Sequence, residues 1–472
     1  MRTRILTIVA LLALAGSAFV GVHVARATAG TTLLTGSIGG AAYKIEVPAQ
    51  WNGTLVLYSH GYVFPGSKNP AQDAGDPATA AFLLSQGYAL AGSSYSATGW
   101  ALQQAFHDQT ALLDFFNANV GHPARVIAWG HSLGGIITAG LVQQFPDRFV
   151  GALPMCGVLA GGVATWNPGL DGAFAFKLLL AGNDPTLPIV HLGSIPQSVG
   201  ELNRAETILG AAQATPQGKA RIALIAALGD VPDWFSPATP EPAADDLATQ
   251  EQNQFLWEAQ TDFPFLFAGR AELEARAGGN PSWNTGVNYQ KQLDQSVDRD
   301  EVRALYQQAG LDLDADLSTL NAAPRIAADP GAVSYLENFI VFNGDLQIPV
   351  LTMHTTGDGL VVNQQENAYR DVVHTAGNAK MLRQVFVHRA GHCAFTPGET
   401  IAAFQTLIHR IDTGKWQDTT ATDTLNAAAS ALGPALNTVP GFTAGPAFVD
   451  FDPAKFLRPF DARDITRPGN ND

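Results

Sequence analysis

Positive charge is scarce in this chain of 472 residues. Only 27 residues are Lys or Arg against 42 Asp or Glu, which gives a formal net charge of −15, and basic residues never form a run. A nucleic-acid-binding surface requires clustered basic residues, so the sequence predicts no nucleic-acid partner. The acidic excess favours solubility instead.

Charged residues of either sign are also few, at 15% of the chain, while 46% of it is hydrophobic. This balance argues against disorder and allows a substantial core. The length suits one large domain with an insertion, or two domains. The sequence has no internal repeat, no zinc-type spacing of His and Cys, and no phosphate-binding glycine loop. It therefore predicts neither a metal nor a cofactor.

Long apolar runs are confined to the N-terminus. Arg2 and Arg4 precede an apolar run from Ile5 to Val22, and the small residues of Ala27-Thr28-Ala29 follow it. This order is typical of a cleaved secretory signal peptide. An uncleaved membrane anchor is the alternative, because the run approaches spanning length. We predict a signal peptide over residues 1–29, a secreted protein (extracellular or periplasmic), and no stable membrane span after cleavage.

Strand and helix patterns alternate in two parts of the chain, which predicts an α/β fold with a mostly parallel sheet and helices on both faces. The first part has predicted strands at 53–62, 87–96, 125–129 and 149–155, with helices at 100–121 and 133–145. The second part has a strand followed by a loop within 345–358, a helix at 363–376, a strand at 382–388 and a helix at 397–413.

The alternation stops between these two parts. Residues 158–345 contain helical stretches separated by Pro, Gly and Asn clusters, so we predict a helical cap inserted into one α/β core. The predicted organisation is core at 30–157, cap at 158–345, core again at 346–414, and a C-terminal tail without clear periodicity at 415–472.

A serine enclosed by glycines follows the predicted strand at 125–129. The segment Gly130-His131-Ser132-Leu133-Gly134 is a G-x-S-x-G turn between a strand and a helix, the setting of a nucleophile elbow. Small neighbours let strand and helix approach each other while the hydroxyl stays exposed. The helix N-terminus also favours a developing anion. We predict that Ser132 is a nucleophile; a serine that only caps the helix is the alternative.

A serine nucleophile needs a base, and the base needs an orienting carboxylate. In this architecture the chain order is Ser, acid, His. Asp358 and His392 each follow a predicted strand, at the sheet edge where α/β proteins place their sites, so we predict that they complete a triad with Ser132. The rivals are His354 and His388, within or at the end of strands, and Asp345, which precedes its strand.

An oxyanion formed at Ser132 also needs hydrogen-bond donors. The first expected donor is the N–H of Leu133, the residue after the nucleophile. The second is expected from the loop His60-Gly61-Tyr62, with Tyr62 N–H as the prediction and Gly61 N–H as the alternative.

Cysteine is nearly absent. Cys156 follows a predicted strand and Cys393 adjoins His392, so both belong at the same edge of the sheet. Two cysteines allow one intramolecular pairing, and a secreted chain permits it. We predict a Cys156–Cys393 disulfide; two free buried thiols are the alternative.

These motifs resemble those of the α/β-hydrolase superfamily. "SHGY", "GHSLGG", "TTGDGLV" and "AGHCAF" occur in the expected order over residues 31–157 and 346–413. The chain is similar to secreted bacterial esterases with a large helical cap, which implies an acyl-enzyme mechanism. Feruloyl esterases and tannases also carry a cysteine beside the catalytic histidine. They pair it with a cysteine beside the serine, where this chain has His131.

The predicted function is therefore a secreted serine hydrolase that cleaves carboxylic esters, with a small-molecule or lipid-like ester as substrate. A serine peptidase is an alternative, and it would need cap carboxylates such as Glu251, Glu258 or Glu272 directed at the site. Acyl transfer uses the same triad, and a non-catalytic binding module would be expected to lose a triad residue. The aromatic-rich segment 255–269 either lines an acyl pocket or forms cap core. The sequence makes no prediction of oligomeric state.

Overall fold

The computed structural model describes residues 23–27, 30–439 and 442–460. The predicted apolar signal run, Ile5 to Val22, lies outside the described residues, so the signal peptide stays a prediction. Residues His23–Ala27 form an edge strand of the sheet. In the described part of the chain, no helix is long and apolar enough to cross a membrane.

A ten-stranded sheet organises the chain, and a two-stranded sheet lies near the C-terminus. The strands are β1 (His23–Ala27), β2 (Thr31–Ile38), β3 (Ala41–Pro48), β4 (Thr54–Ser59), β5 (Ala89–Ser93), β6 (Arg125–His131), β7 (Gly151–Met155), β8 (Val350–Gly357), β9 (Leu382–Ala390), β10 (Thr438–Val439), β11 (Phe442–Thr443) and β12 (Phe448–Val449). The large sheet has the order β1-β2-β3-β5-β4-β6-β7-β8-β9-β12. Its centre, from β5 to β9, is parallel, whereas β1 to β3 and β12 pair antiparallel at the edges.

The central strands are covered on both faces. Every residue of β4 and β7 is buried, as expected for parallel strands between two helical layers. Leu55 and Leu57 pack in one core cluster and Val56 and Tyr58 in the other, because successive strand side chains point to opposite faces. The predicted α/β-hydrolase fold, with helices on both faces of a mostly parallel sheet, is confirmed.

The α-helices are α1 (Pro77–Ser85), α2 (Leu102–Asn119), α3 (Leu133–Gln144), α4 (Gly161–Ala164), α5 (Trp166–Leu179), α6 (Ile195–Ala212), α7 (Pro216–Leu228), α8 (Leu247–Trp257), α9 (Arg270–Ala277), α10 (Tyr289–Gln295), α11 (Arg299–Ala309), α12 (Leu313–Ala322), α13 (Pro330–Asn338), α14 (Gln364–Thr375), α15 (Pro397–Thr413) and α16 (Thr422–Ala431). Short 3₁₀ turns occupy Pro146–Arg148, Gln417–Thr420 and Pro434–Leu436. Two π-helical turns, Glu258–Asp262 and Phe265–Gly269, lie between α8 and α9.

Helices α4 to α13 lie between β7 and β8 in the chain. Most of them share a hydrophobic cluster of their own, built around side chains such as Phe176, Leu224 and Tyr289. Residues 205–228, which the apolar pattern presents as one helical stretch, belong to two helices, α6 and α7. Pro216 starts α7, with Thr215 as its N-cap, because proline has no N–H to continue the preceding helix.

The C-terminal tail contributes to the core. Strand β12 pairs with β9, helix α16 packs against α15, and Phe456 is 2% exposed. The tail that was expected to lack clear periodicity therefore contains the ten-residue helix α16, while β12 is only two residues long, too short to reveal an alternation.

Candidate active site

Ser132 lies in a tight turn between β6 and α3. Its backbone has φ 59° and ψ −123°, a conformation that non-glycine residues rarely adopt and that persists where the surrounding structure enforces it. A Cβ atom would lie 2.5 Å from the Ser59 carbonyl oxygen at Gly130 and 1.9 Å from it at Gly134. The end of β4 therefore packs so closely on the turn that only glycine fits on either side. This contact explains the small residues of the sequence motif.

Asp358 and His392 are hydrogen-bonded to each other. They follow the neighbouring parallel strands β8 and β9, and His392 Nδ1 lies 2.7 Å from Asp358 Oδ2. Asp358 is fully buried, and its Oδ1 accepts hydrogen bonds from the N–H groups of Leu360 and Val361 at 3.1 and 3.0 Å. With the proton on Nδ1 held by the carboxylate, Nε2 is left to accept a proton.

The structure brings His392 to the serine turn without a direct hydrogen bond. Within the described residues, none joins His392 Nε2 to Ser132 Oγ, and Nε2 lies 3.4 Å from Cys393 Sγ. Burial and the nearby His392 together lower the pKa of His131 to about 4. Cys393, which follows His392, is bonded to Cys156, and Ser132 N–H donates to the carbonyl oxygen of Met155, the residue before Cys156, at 3.0 Å. Catalytic hydrogen bonds are often long in unliganded sites and tighten when substrate binds.

A second histidine contacts Asp358 from the other side. His354 Nε2 lies 2.7 Å from the Val361 carbonyl oxygen and 3.4 Å from Asp358 Oδ2, and His354 Nδ1 lies 3.1 Å from Glu366 Oε1. Both ring nitrogens therefore face acceptors, the arrangement of an imidazolium. Burial alone would lower the pKa of His354, but the Asp358 and Glu366 carboxylates outweigh it and raise the pKa to about 10. Against the penalty of burial, His392 and His354 hold the pKa of Asp358 well below its usual range.

The rival residues lie elsewhere. His388 lies in β9. Its side chain is 48% exposed, and its Nε2 is 3.4 Å from a carboxylate oxygen of Glu241. Asp345 is exposed in the loop before β8. His354, which the sequence assigned to a strand, is in β8, but its side chain contacts the candidate triad.

The predicted oxyanion donors border the same space as Ser132. Tyr62 and Leu133 both line the cavity next to the serine, and a Cβ atom at Gly61 would lie 3.3 Å from Ser132 Cβ. Among the described residues, neither the Tyr62 N–H nor the Leu133 N–H has a backbone acceptor. Both N–H groups are therefore available to a ligand oxygen. Their assignment as oxyanion donors stays a prediction.

A disulfide joins Cys156 to Cys393, with 5.3 Å between the Cα atoms. It links the end of β7 to the loop that carries His392. Cys156 N–H also donates to the Met353 carbonyl oxygen at 2.7 Å. The bond thus ties the histidine loop to the centre of the sheet, so we expect it to restrict the motion of His392.

We expect no free thiol in the purified protein. Alkylation without reductant should leave the intact mass unchanged, and reduction should lower both turnover and the melting temperature, because Cys393 is covalently next to His392. Closing a loop of 237 residues is worth roughly 5.5 kcal/mol in the chain-entropy picture. Two alkylated cysteines in the untreated protein would refute the bond.

A cavity lies beside Ser132. Aromatic side chains from the core, the cap and the C-terminal tail line it: Tyr62, Trp100, Trp166, Phe265 and Phe456. The aromatic-rich segment 255–269 serves both predicted roles, because Phe265 lines the cavity while Phe263 and Phe267 pack in the cap core.

One of the three cap carboxylates that the sequence singled out reaches this cavity. Glu258 lines it together with Asp262. Glu251 instead accepts a hydrogen bond from Gln213 and lies 3.6 Å from Lys219. Glu272 is paired with Arg276 and accepts from the Trp100 N–H at 2.8 Å. The sequence analysis missed Asp262, although its i, i+4 spacing from Glu258 is typical of a shared helix face.

The strand order, the cap between β7 and β8, and the strained serine beside an Asp–His pair define the class of the protein. It is a hydrolase of the α/β-hydrolase superfamily. The profile of the prolyl oligopeptidase family (Peptidase_S9) matches residues 86–161, which hold β6, the serine turn and α3.

The chain belongs to the family of the o-phthalyl amidase of Xanthobacter agilis. The two proteins are 33% identical over 422 residues, which cover 83% of this chain and 89% of the amidase. Among solved structures, an esterase from Aspergillus oryzae aligns with 12% identity and a TM-score of 0.40, over 81% of this chain and 80% of its own. Feruloyl esterase B from Aspergillus oryzae aligns with 15% identity and a TM-score of 0.39, over 81% of each chain.

Proposed function

We propose that the protein hydrolyses carboxylic esters, with Ser132 as nucleophile, His392 as general base and Asp358 as the carboxylate that orients the base. The observation that carries the proposal is the His392–Asp358 hydrogen bond of 2.7 Å at the same sheet edge as the strained Ser132. The bond fixes the tautomer that leaves Nε2 free to accept the serine proton.

The proposed reaction has two halves. Ser132 Oγ attacks the ester carbonyl carbon as His392 Nε2 takes its proton, and the N–H groups of Tyr62 and Leu133 donate to the oxyanion. The C–O bond then breaks, and His392 returns the proton to the leaving alcohol. Water attacks the acyl-serine with the same base, which releases the carboxylic acid and restores Ser132.

The walls of the cavity favour an apolar or aryl group on the substrate. Most of its lining is aliphatic or aromatic, with Thr165, Gln365 and the two cap carboxylates among the polar exceptions. The substrate we propose is accordingly a small-molecule ester. The disulfide supports the proposed secretion, because such bonds persist in oxidising compartments.

Amide hydrolysis is the second candidate function. The relative with 33% identity is named an amidase, and an amide and an ester pass through the same tetrahedral intermediate. The two reactions differ at the leaving group, because an amine must be protonated by the histidine before it departs. Glu258 in the cavity also favours this candidate, since the sequence argument required a cap carboxylate there for a substrate with a free amine.

A matched pair of substrates tests the choice. The ratio of kcat/KM for a p-nitrophenyl ester to that of the p-nitroanilide of the same acid, corrected for their uncatalysed rates, should favour the ester. A panel of short aliphatic and benzoyl acyl groups covers the unknown acyl specificity. A corrected ratio that favours the anilide would replace the esterase proposal with the amidase.

A further inference from the structure

Glu258 and Asp262 form a pair of carboxyl groups inside the cavity that holds Ser132. They belong to one π-helical turn of the cap, a rare element that occurs often at functional sites. Glu258 is only 2% exposed. Asp262 Oδ2 is buried and has no hydrogen-bond partner. Buried polar atoms nearly always have a partner, so an unpaired one calls for an explanation.

The pair lacks any compensating group. Within the described part of the chain, no N–H or O–H group donates to either carboxyl, and no Lys or Arg lines the cavity. The contrast with Glu251 and Glu272 is direct, because those two lie beside Lys219 and Arg276. A buried carboxylate without a partner is costly, and a ligand that supplies donors and positive charge would remove that cost.

The charged groups that shift the pKa of Asp262 are both carboxylates, Glu258 and Asp358. Burial raises the pKa of Glu258 to about 8, and burial together with the charges of Glu258 and Asp358 raises that of Asp262 well above its usual range. The pair therefore retains protons near neutral pH while the cavity is empty. An approaching cation stabilises the ionised form, so its binding should release protons.

We propose that Glu258 and Asp262 form a subsite for a protonated amine, and that the substrate carries an ammonium group next to its apolar portion. This inference rests on the proposed function for the identity of the cleaved bond. Ionised carboxylates only accept hydrogen bonds, and an ammonium group offers three donors and no acceptor. The aromatic side chains of Trp100 and Trp166 border the same cavity, and aromatic faces attract cations.

Three ligands of one shape test the charge preference. Phenethylammonium, phenethyl alcohol and hydrocinnamate share an aromatic ring and differ in the terminal group. None of them has a scissile bond, so calorimetric titration of the wild-type protein reports on the subsite alone. We expect phenethylammonium to bind at least about tenfold more tightly than the alcohol, a difference of about 1.4 kcal/mol, and hydrocinnamate to bind most weakly.

The affinity for phenethylammonium should change with pH in one direction. As pH rises through the pKa of Glu258, about 8, Glu258 ionises while the alkylamine, with a pKa near that of lysine at about 10, stays protonated. Ammonium affinity should therefore increase from about pH 6 to about pH 9. Ammonium affinity that stays flat or falls over this range would overturn the proposal, since ionisation of the pair would then contribute nothing to binding.

Two variants test whether Glu258 and Asp262 cause the preference for ammonium over alcohol. Glu258→Gln and Asp262→Asn should each reduce the preference for ammonium over alcohol to about twofold or less, and neither should lower the melting temperature. Glu251→Gln is the matched control, because Glu251 is buried on the preceding helix and does not line the cavity. A preference that survives both variants would overturn the subsite. Retained ammonium binding in a protein that hydrolyses neither esters nor amides would contradict the proposed function and leave the subsite standing.

Discussion

Replacing Ser132 with alanine is expected to lower kcat for an activated ester by about 10⁴-fold or more. The serine is the group that forms the covalent intermediate in the proposed mechanism, and no other side chain is held in the strained turn between β6 and α3. Alanine keeps the Cβ atom and fits the same backbone, so we expect the fold to be retained. Turnover of a p-nitrophenyl ester, measured with the melting temperature, gives the result.

The matched control is Ser96→Ala. Ser96 is exposed and does not line the cavity, so its hydroxyl should have no effect on kcat beyond about twofold. A Ser132→Ala protein that retains more than a few per cent of the activity would show that another residue, or solvent, attacks the substrate.

His392→Ala should have an effect of similar size, about 10⁴-fold in kcat, because the serine then has no base and the leaving group no acid. His388→Ala should stay within about twofold of the wild type. The two histidines are four residues apart, but His392 Nδ1 is held by Asp358 Oδ2 at 2.7 Å, while His388 faces Glu241 at the surface. Rates measured for both variants across a pH series distinguish the loss of a general base from unfolding of the protein.

The opposite pattern would contradict the assignment. If His388→Ala were inactive and His392→Ala active, the base would have to reach Ser132 from the outer side of β9. Rescue of His392→Ala by added imidazole would support its role as a base, since a small base can enter the cavity that the substitution enlarges.

Local chemistry explains why the serine turn could be predicted from the sequence. The G-x-S-x-G spacing and the flanking strand and helix are all visible within one short stretch of the sequence. The contact that requires glycine at 130 and 134 comes from Ser59 on β4, but the motif can be found without knowing that contact. Asp358 and His392 were predictable for a related reason. Each ends a predicted strand, and parallel strands present their carboxyl ends at one edge of the sheet.

Features that depend on distant parts of the chain were missed. Phe456 lines the cavity, but nothing in the tail sequence indicates that it returns to the core. His354 was assigned to a strand, which is correct, but its contact with Glu366 depends on how α14 packs beside β8. Asp262 shares one π-helical turn with Glu258, but which face of that turn lines the cavity depends on tertiary packing, which periodicity does not specify.

The proposed mechanism depends above all on acylation of Ser132. The most direct measurement is labelling of the folded, active protein with a fluorophosphonate, followed by peptide mapping of the adduct by mass spectrometry. We expect one adduct, on the peptide that contains Ser132, and a loss of esterase activity in proportion to labelling. An adduct on a different residue, or complete labelling of Ser132 with activity intact, would contradict it.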